Sequence, residues 1–238
     1  MIATSLILAS SPCPAATPPA APGDNPFFAE SSLPYRMPPF DRIQDAHYAP
    51  AFAAGMSRQL EEIAAIADNP EPASFDNTIV AMERSGQLLQ RVAKVFFNLT
   101  GANTNDAMEA VERDLSPRLA AHRDAIMHNA RLFGRINALY LQRQQLALDA
   151  ESLYLLERYQ TDFKRAGAQL SDPDKLQLKA LNAELAELKT RFNQNLLKET
   201  NADAVVVDQA AELAGLEENA IAAAAAAAKA RAWRASTC

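Results

Sequence analysis

Residues that make tight turns and disulfide bonds are scarce in this 238-residue chain. Seven glycines are too few for an all-β fold, which needs many tight turns. The two cysteines, Cys13 and Cys238, lie near opposite ends and match neither a disulfide framework nor zinc-finger spacing. We therefore expect both thiols to be incidental to function.

Histidine is equally scarce, and its spacing predicts no metal centre. None of His47, His122 and His128 lies in a His-Glu-x-x-His arrangement. His122 and His128 are six positions apart, which places them on different faces of a helix. His47 falls at the start of a helix, where it is expected to cap or pack. We predict no catalytic, cofactor-binding or metal-ligating residue in this chain.

Other catalytic signatures are also missing from the sequence. It has no Gly-rich phosphate loop and no Gly-x-Ser-x-Gly turn. Phe96 and Phe97 are expected to belong to the core rather than to a ligand platform. Four pairs of nearby acids are expected on solvated helix faces: Glu61 with Glu62, Glu109 with Glu112, Glu184 with Glu187, and Glu217 with Glu218.

Charge and hydropathy narrow the class of protein. The net charge of -6 argues against a nucleic-acid partner, because such a protein needs a basic face. Apolar residues make up 49% of the chain and the mean hydropathy is -0.17, values typical of a soluble globular protein. The apolar run at residues 2–9 is too short to span a bilayer, so no transmembrane segment is predicted.

Residues 1–24 are predicted to be a disordered leader. The apolar run at residues 2–9 fits a signal-peptide remnant, although no basic residue precedes it. Residues 16–24 are rich in Pro and Ala, as in a spacer. The sequence favours periplasm and cytoplasm equally.

The body of the chain is predicted to be all-α, a multi-helix antiparallel array. From about Asp45 onward, apolar residues recur at steps of three and four. Residues 25–40 contain four prolines and are expected to form an extended arm lying in a groove. Pro117 is expected to start a new helix or to kink one. The first helix is expected to bury Phe52, Met56, Leu60, Ile63 and Ala67, and Asn69-Pro70 ends it. Ser74 is then expected to cap the second helix, and Asp149 the fifth.

A long helix is predicted from the cap at Ser171 to about Thr200. It carries a heptad seam and is expected to pack as an antiparallel hairpin with the preceding helix. A short strand near residues 204–207 follows, with no evident partner, and then an Ala-rich helix. The seam residues are Leu178, Leu181, Leu185, Leu188 and Phe192.

Several long strings resemble a known family in the right order. They include residues 69–86 (Asn-Pro-Glu-Pro-Ala-Ser-Phe-Asp-Asn-Thr-Ile-Val-Ala-Met-Glu-Arg-Ser-Gly), residues 96–106 (Phe-Phe-Asn-Leu-Thr-Gly-Ala-Asn-Thr-Asn-Asp), residues 119–126 and residues 163–168. Together they resemble the N-terminal part of bacterial peptidyl-dipeptidases, in the thimet-oligopeptidase group of zinc metallopeptidases. The resemblance covers about residues 25–230.

The resemblance implies a large, almost wholly helical enzyme with two lobes around a deep channel. Such enzymes act on short peptides, and their zinc is held by a His-Glu-x-x-His helix and a later glutamate. Those positions lie beyond the matched region, so zinc is expected in the full-length family and not in this chain. Residues 25–230 are then an incomplete N-terminal lobe, and its partners are short peptides and the missing C-terminal catalytic lobe.

The last residues depart from the family pattern, and we interpret residues 231–238 as a frameshifted tail. The resemblance implies a Gly-rich turn and a strand here, something like Gly-Leu-Glu-Gly-Lys-Tyr-Val-Leu, and a nucleotide string such as GGC CTG GAG GGC AAG TAC GTG C would encode its first seven residues. Read one nucleotide later, the same nucleotides encode Ala-Trp-Arg-Ala-Ser-Thr-Cys, the string at residues 232–238. We predict that the downstream DNA, translated in the other frame, encodes a His-Glu-x-x-His motif. Sequencing that finds no such motif would contradict this interpretation.

A second interpretation belongs to a different class. The chain is alternatively a free-standing helical interaction module without enzymatic activity, which binds a partner through the seam from Leu178 to Phe192.

Overall fold

The computed structural model describes residues 25–102, 104–203, 207 and 209–235. It confirms the all-α fold, and no strand occurs within these residues. The predicted strand falls at residues 204–207, of which Ala204, Val205 and Val206 lie outside the described residues. So do the predicted leader at residues 1–24 and the last three residues of the predicted tail.

The α-helices in the described part of the chain are numbered in sequence order. They are α1 (Tyr48–Ala67), α2 (Ala81–Arg84), α3 (Gln87–Thr100), α4 (Asp106–Met127), α5 (Ala130–Leu141), α6 (Ala150–Arg165), α7 (Asp172–Ala202) and α8 (Glu218–Ala235). A π-helical segment, Phe75–Val80, leads directly into α2. The chain divides into two compact units, residues 1–192 and 193–238. No helix in the described part of the chain is both long and apolar enough to cross a membrane.

Side-chain caps fix several helix starts where the sequence predicts them. Ser74 Oγ accepts a hydrogen bond from the Asn77 amide at 3.1 Å, and Asn77 Oδ1 accepts one from the Ser74 amide at 2.8 Å. Asp149 Oδ1 accepts from the Ser152 amide at 2.7 Å. The bonds from Ser152 lower the pKa of the Asp149 carboxyl. Pro117 lies inside a continuous α4, which excludes the first of the two predicted alternatives, a new helix, and leaves the second, a kink within one helix.

The first unit contains two apolar clusters, both built on α1. One joins the start of α1 to α3, α4 and Phe27 of the arm. The other joins the end of α1 to α5 and α6. In the predicted α1 stripe, Phe52, Met56, Ile63 and Ala67 are buried, whereas Leu60 is exposed. Helix α1 is therefore the shared centre of this unit.

The connection between α1 and α2 is held by one arginine of α5. Arg135 donates to the carbonyl oxygens of Asn69 and Glu71, both at 2.9 Å, and to Asn77 Oδ1 at 2.8 Å. Backbone carbonyls in a loop have no ladder partners, so this guanidinium satisfies groups that would otherwise rely on water. The arrangement fixes the turn that reverses the chain after α1.

The long helix α7 does not pack as predicted. Of the predicted seam, Leu178 is half-buried, whereas Leu181, Leu185, Leu188 and Phe192 are 50–65% exposed, so most of the seam is not buried in a hairpin with α6. Instead α7 contacts α4 through polar side chains, as described below. The expectation was wrong because heptad spacing shows which residues share a face, not which face meets the protein.

Candidate functional site

A broad concave feature lies between the N-terminal arm and α3. It encloses about 530 Å³. Arm residues form one side and α3 forms the other. The α3 residues at this groove are Gln87, Gln90, Arg91, Lys94, Val95, Asn98 and Leu99.

Anchors at the start of the arm position this groove. The side-chain amide of Asn25 donates to the His47 carbonyl oxygen at 2.8 Å. Phe27 is 2% exposed and lies against the ring of Tyr48, with 5.5 Å between ring centroids. Arg91 of α3 donates to the carbonyl oxygens of Phe27 at 2.7 Å and Ala29 at 3.2 Å.

Beyond these anchors the arm is open. Phe28, Leu33, Tyr35 and Phe40 are 41–99% exposed, although the sequence predicted that they would pack in a groove of the body. Tyr35 and Arg36 also have φ of 56°, in the left-handed region that non-glycine residues rarely adopt. The arm therefore borders a groove rather than filling one.

The groove is lined by charged, amide and apolar side chains. Lys94 is a cation that can pair with a carboxylate, and the amides of Gln87 and Gln90 can bond to a peptide backbone. Val95 and Leu99 supply an apolar floor. The arm side of the groove adds Glu30, which pairs with Arg36 at 3.6 Å, and Ser31, whose Oγ accepts from the Leu33 amide at 3.2 Å. An extended peptide fits this chemistry.

Replacing Arg91 with alanine is expected to release the start of the arm. The two arm carbonyls lose a charged donor, and such bonds contribute on the order of 1.5–3 kcal/mol. Protease cleavage within residues 28–40 should become about tenfold faster, while helix content stays unchanged. Arg84→Ala, at the end of α2, is the matched control. Equal cleavage rates for the two variants would contradict this role.

A second cavity of about 480 Å³ lies between α4, the end of α6 and α7. Asp124 at its edge is 5% exposed, and its Oδ1 accepts from the Asn182 side-chain amide at 2.8 Å. Its Oδ2 is buried without a hydrogen-bond partner among the described residues. The other charged groups lining the cavity are of both signs: Arg123, Asp162, Arg165 and Lys189.

Each of the three histidines forms a hydrogen bond with a different part of the chain. His47 Nδ1 accepts from the Gln44 amide at 3.0 Å, as expected for a cap. His122 Nε2 donates to Gln59 Oε1 at 2.8 Å, and burial lowers the pKa of this imidazole. His128 Nε2 donates to the Ala166 carbonyl oxygen at 2.7 Å.

These positions do not fit a zinc site. Within the described residues, no group of three or more His, Cys, Asp and Glu side chains is arranged to hold a metal. The histidines each use one ring nitrogen within their own neighbourhood, and zinc needs several ligands converging on one point. No step of chemistry is assigned to a metal on this chain.

The acids and aromatic residues were predicted with mixed success. Glu109 is 7% exposed, so its expected place on a solvated face is wrong; Arg113, one turn later, offsets its charge at 3.6 Å. Phe96 is fully buried and confirms its predicted core role, while Phe97 is 42% exposed.

Sequence reasoning missed Arg91 and Arg135, whose roles depend on distant backbone carbonyls. The only signal in the sequence was an arginine next to apolar residues with helical spacing.

Comparison with known proteins confirms the predicted resemblance. No protein-family model matches the chain. It is 46% identical over 205 residues to dipeptidyl carboxypeptidase from Escherichia coli, which covers 86% of this chain and 30% of that protein. The Salmonella typhimurium protein of the same name is 47% identical over 204 residues, with 85% and 30% covered. Oligopeptidase A from Escherichia coli is 24% identical over 199 residues, 83% of this chain and 29% of that protein.

These relatives are much longer than the matched region, because the chain spans about 30% of the length of the dipeptidyl carboxypeptidases. The similarity extends over most of this chain. The chain is therefore similar, over most of its own length, to a part of these dipeptidyl carboxypeptidases, and more weakly to a part of oligopeptidase A.

Proposed function

We propose that this chain is the N-terminal helical part of a zinc metallopeptidase of the peptidyl-dipeptidase type. The observation that carries the proposal is the 46% identity to a dipeptidyl carboxypeptidase over 205 residues. On this proposal, residues 25–230 belong to an enzyme of the same type as the relative.

Residues 25–230 would form much of one wall of the substrate channel. Such a wall would limit substrates by shape, because a narrow channel admits short unfolded peptides but not folded proteins. The groove beside α3, with its amides, its cation and its apolar floor, supports contact of this wall with extended peptides. Bond cleavage would belong to a zinc site on other residues of the full-length enzyme.

The positive test is an exchange of segments. Residues 25–230 of this chain replace the matched segment of the Escherichia coli dipeptidyl carboxypeptidase, and release of dipeptides from a short peptide is measured. We expect the chimera to be active and to be inhibited by a chelator, while the same protein with the segment deleted is inactive. A chimera that folds but releases no dipeptide would contradict the proposal.

For the 238-residue chain alone, we propose that peptidase activity is absent and that zinc is not bound stoichiometrically. The measurements are peptide hydrolysis and metal content of the purified chain. Activity that a chelator removes and zinc restores would overturn this part of the proposal.

The free-standing interaction module remains a second candidate because α7 presents large apolar side chains to solvent. The two candidates differ in solution behaviour. A module should be a monomer or a defined dimer that unfolds cooperatively, whereas an enzyme segment should self-associate without a defined stoichiometry. Sedimentation velocity combined with thermal unfolding distinguishes them.

A further inference from the structure

We infer that the outward apolar face of α7 is the surface on which the remainder of the peptidase packs, an inference that rests on the proposed function. We call this face the α7 stripe. Its members are Leu181, Leu185, Leu188 and Phe192, which are 62%, 64%, 50% and 65% exposed.

The polarity of α7 is reversed relative to an ordinary surface helix. Toward the protein, Asn182 donates to Asp124 of α4 at 2.8 Å, and the hydroxyls of Thr190 and Ser116 are 2.5 Å apart. Thr190 is 8% exposed, so a polar side chain is buried on this side. A surface helix normally buries its apolar stripe and leaves polar residues in water. The hydrogen bonds from α7 to α4 therefore come from polar side chains, while the stripe stays largely exposed, with Leu185 at the border of the cavity between α4, α6 and α7.

The spacing of the α7 stripe defines the shape of its partner. Its residues are separated by four, three and four positions, the spacing with which one helix packs along another. From Leu181 to Phe192 the stripe is about 16 Å long. The partner is accordingly a helix with apolar residues at heptad spacing over about three turns.

Charged residues set the edges of that contact. Glu187 and Arg191 pair with each other at 2.6 Å beside Thr190, at the margin of the α4 contact, and both are about 60% exposed. Both charges can stay hydrated at the rim of the proposed contact when an apolar partner covers the leucines of the stripe. The stripe thus has an apolar centre and a polar margin, the composition of a protein–protein contact.

The choice of occupant depends on the length of the stripe and of the relatives. The stripe covers fewer than two heptads, whereas a free pair of helices usually needs about three or four, so a second copy makes too short a contact. The matched relatives, in contrast, extend well beyond the matched region, which is 30% of their length. A relative therefore has ample polypeptide to cover the stripe within one chain.

The test places one variant in two contexts. Leu185→Glu combined with Leu188→Glu is made in the 238-residue chain and in the chimera with the Escherichia coli dipeptidyl carboxypeptidase. In the chain alone both side chains are already in water, so Tm should stay unchanged. In the chimera, buried carboxylates should lower Tm by at least about 5 °C and dipeptide release by about tenfold.

The matched control is Leu141→Glu combined with Tyr154→Glu. These side chains on α5 and α6 are 70% and 64% exposed and lie outside the stripe, so the control should be neutral in both contexts. A chimera that tolerates the stripe variant as well as the control overturns the inference. So does a closed dimer of the 238-residue chain that the stripe variant dissociates, because it assigns the stripe to a second copy.

The two proposals fail in different ways. A folded but inactive wild-type chimera contradicts the proposed function, and the Tm comparison still reports on the stripe. An active chimera whose Tm and dipeptide release are unchanged by the stripe variant contradicts only the proposed docking surface.

Discussion

Replacing Phe96 with alanine is expected to lower the free energy of unfolding by about 3–5 kcal/mol, the cost of a large cavity in a core that cannot collapse fully. Phe96 is fully buried in α3, and its ring lies 5.0 Å from that of Tyr48, 5.4 Å from Phe52 and 5.3 Å from Phe97. Removing it leaves three rings without their common neighbour. A loss of this size is a large part of the stability of a typical domain.

Urea unfolding followed by circular dichroism measures the Phe96 effect. Tyr35→Ala is the matched control, because this aromatic side chain is 99% exposed and its removal creates no cavity. We expect the midpoint to fall sharply for Phe96→Ala and to change little for Tyr35→Ala. If the two variants unfold at the same urea concentration, Phe96 is not the centre of the aromatic cluster.

The second large effect is expected from Gly55→Leu, which should prevent close packing of α1 on α3. A Cβ at position 55 would lie 2.9 Å from Leu89 Cα and 3.0 Å from its backbone nitrogen. Backbone atoms cannot rotate away as a side chain can, so the helices must separate. Overpacking of this kind costs about 1–3 kcal/mol and, for a whole side chain against backbone, more.

Gly134 provides the control for Gly55, because it also lies inside a helix and a Cβ added there would meet no atom within 4 Å. Gly134→Ala should raise the free energy of unfolding by up to about 1 kcal/mol, since alanine favours the helix. Thermal unfolding of both variants measures the contrast. Equal tolerance at the two positions would contradict a close α1–α3 contact at Gly55.

Local chemistry made much of the fold predictable. The cap at Ser74 and the stop at Asn69-Pro70 depend on neighbouring residues, and the structure places both where the sequence predicts them. The burial of Phe52 and Ile63 follows from helical periodicity. Exposed Leu60, on the same predicted stripe, shows that periodicity gives the face of a helix but not the width of its contact.

Long-range contacts were not predictable in this way. Arg91 holds carbonyls of residues 62 and 64 positions away in the sequence, and Arg135 does the same for a loop 64 and 66 positions away. A charged side chain that bonds to a backbone carbonyl cannot be recognised from the sequence. Every residue has a carbonyl group, so the sequence does not show which residue is the partner. The candidate groove depends on these contacts and could not be derived from a motif.

The sequence by itself determined the helical class, the caps, the resemblance to peptidyl-dipeptidases and the heptad spacing of α7, because each depends on residues close together or on matching strings. The tertiary structure alone decided which side of α7 meets the protein. Polar bonds from Asn182 and Thr190 to α4 fixed that orientation and left the leucines in solvent. The physical reason is that an amphipathic pattern records two faces, and only the neighbouring helices select which of them is buried.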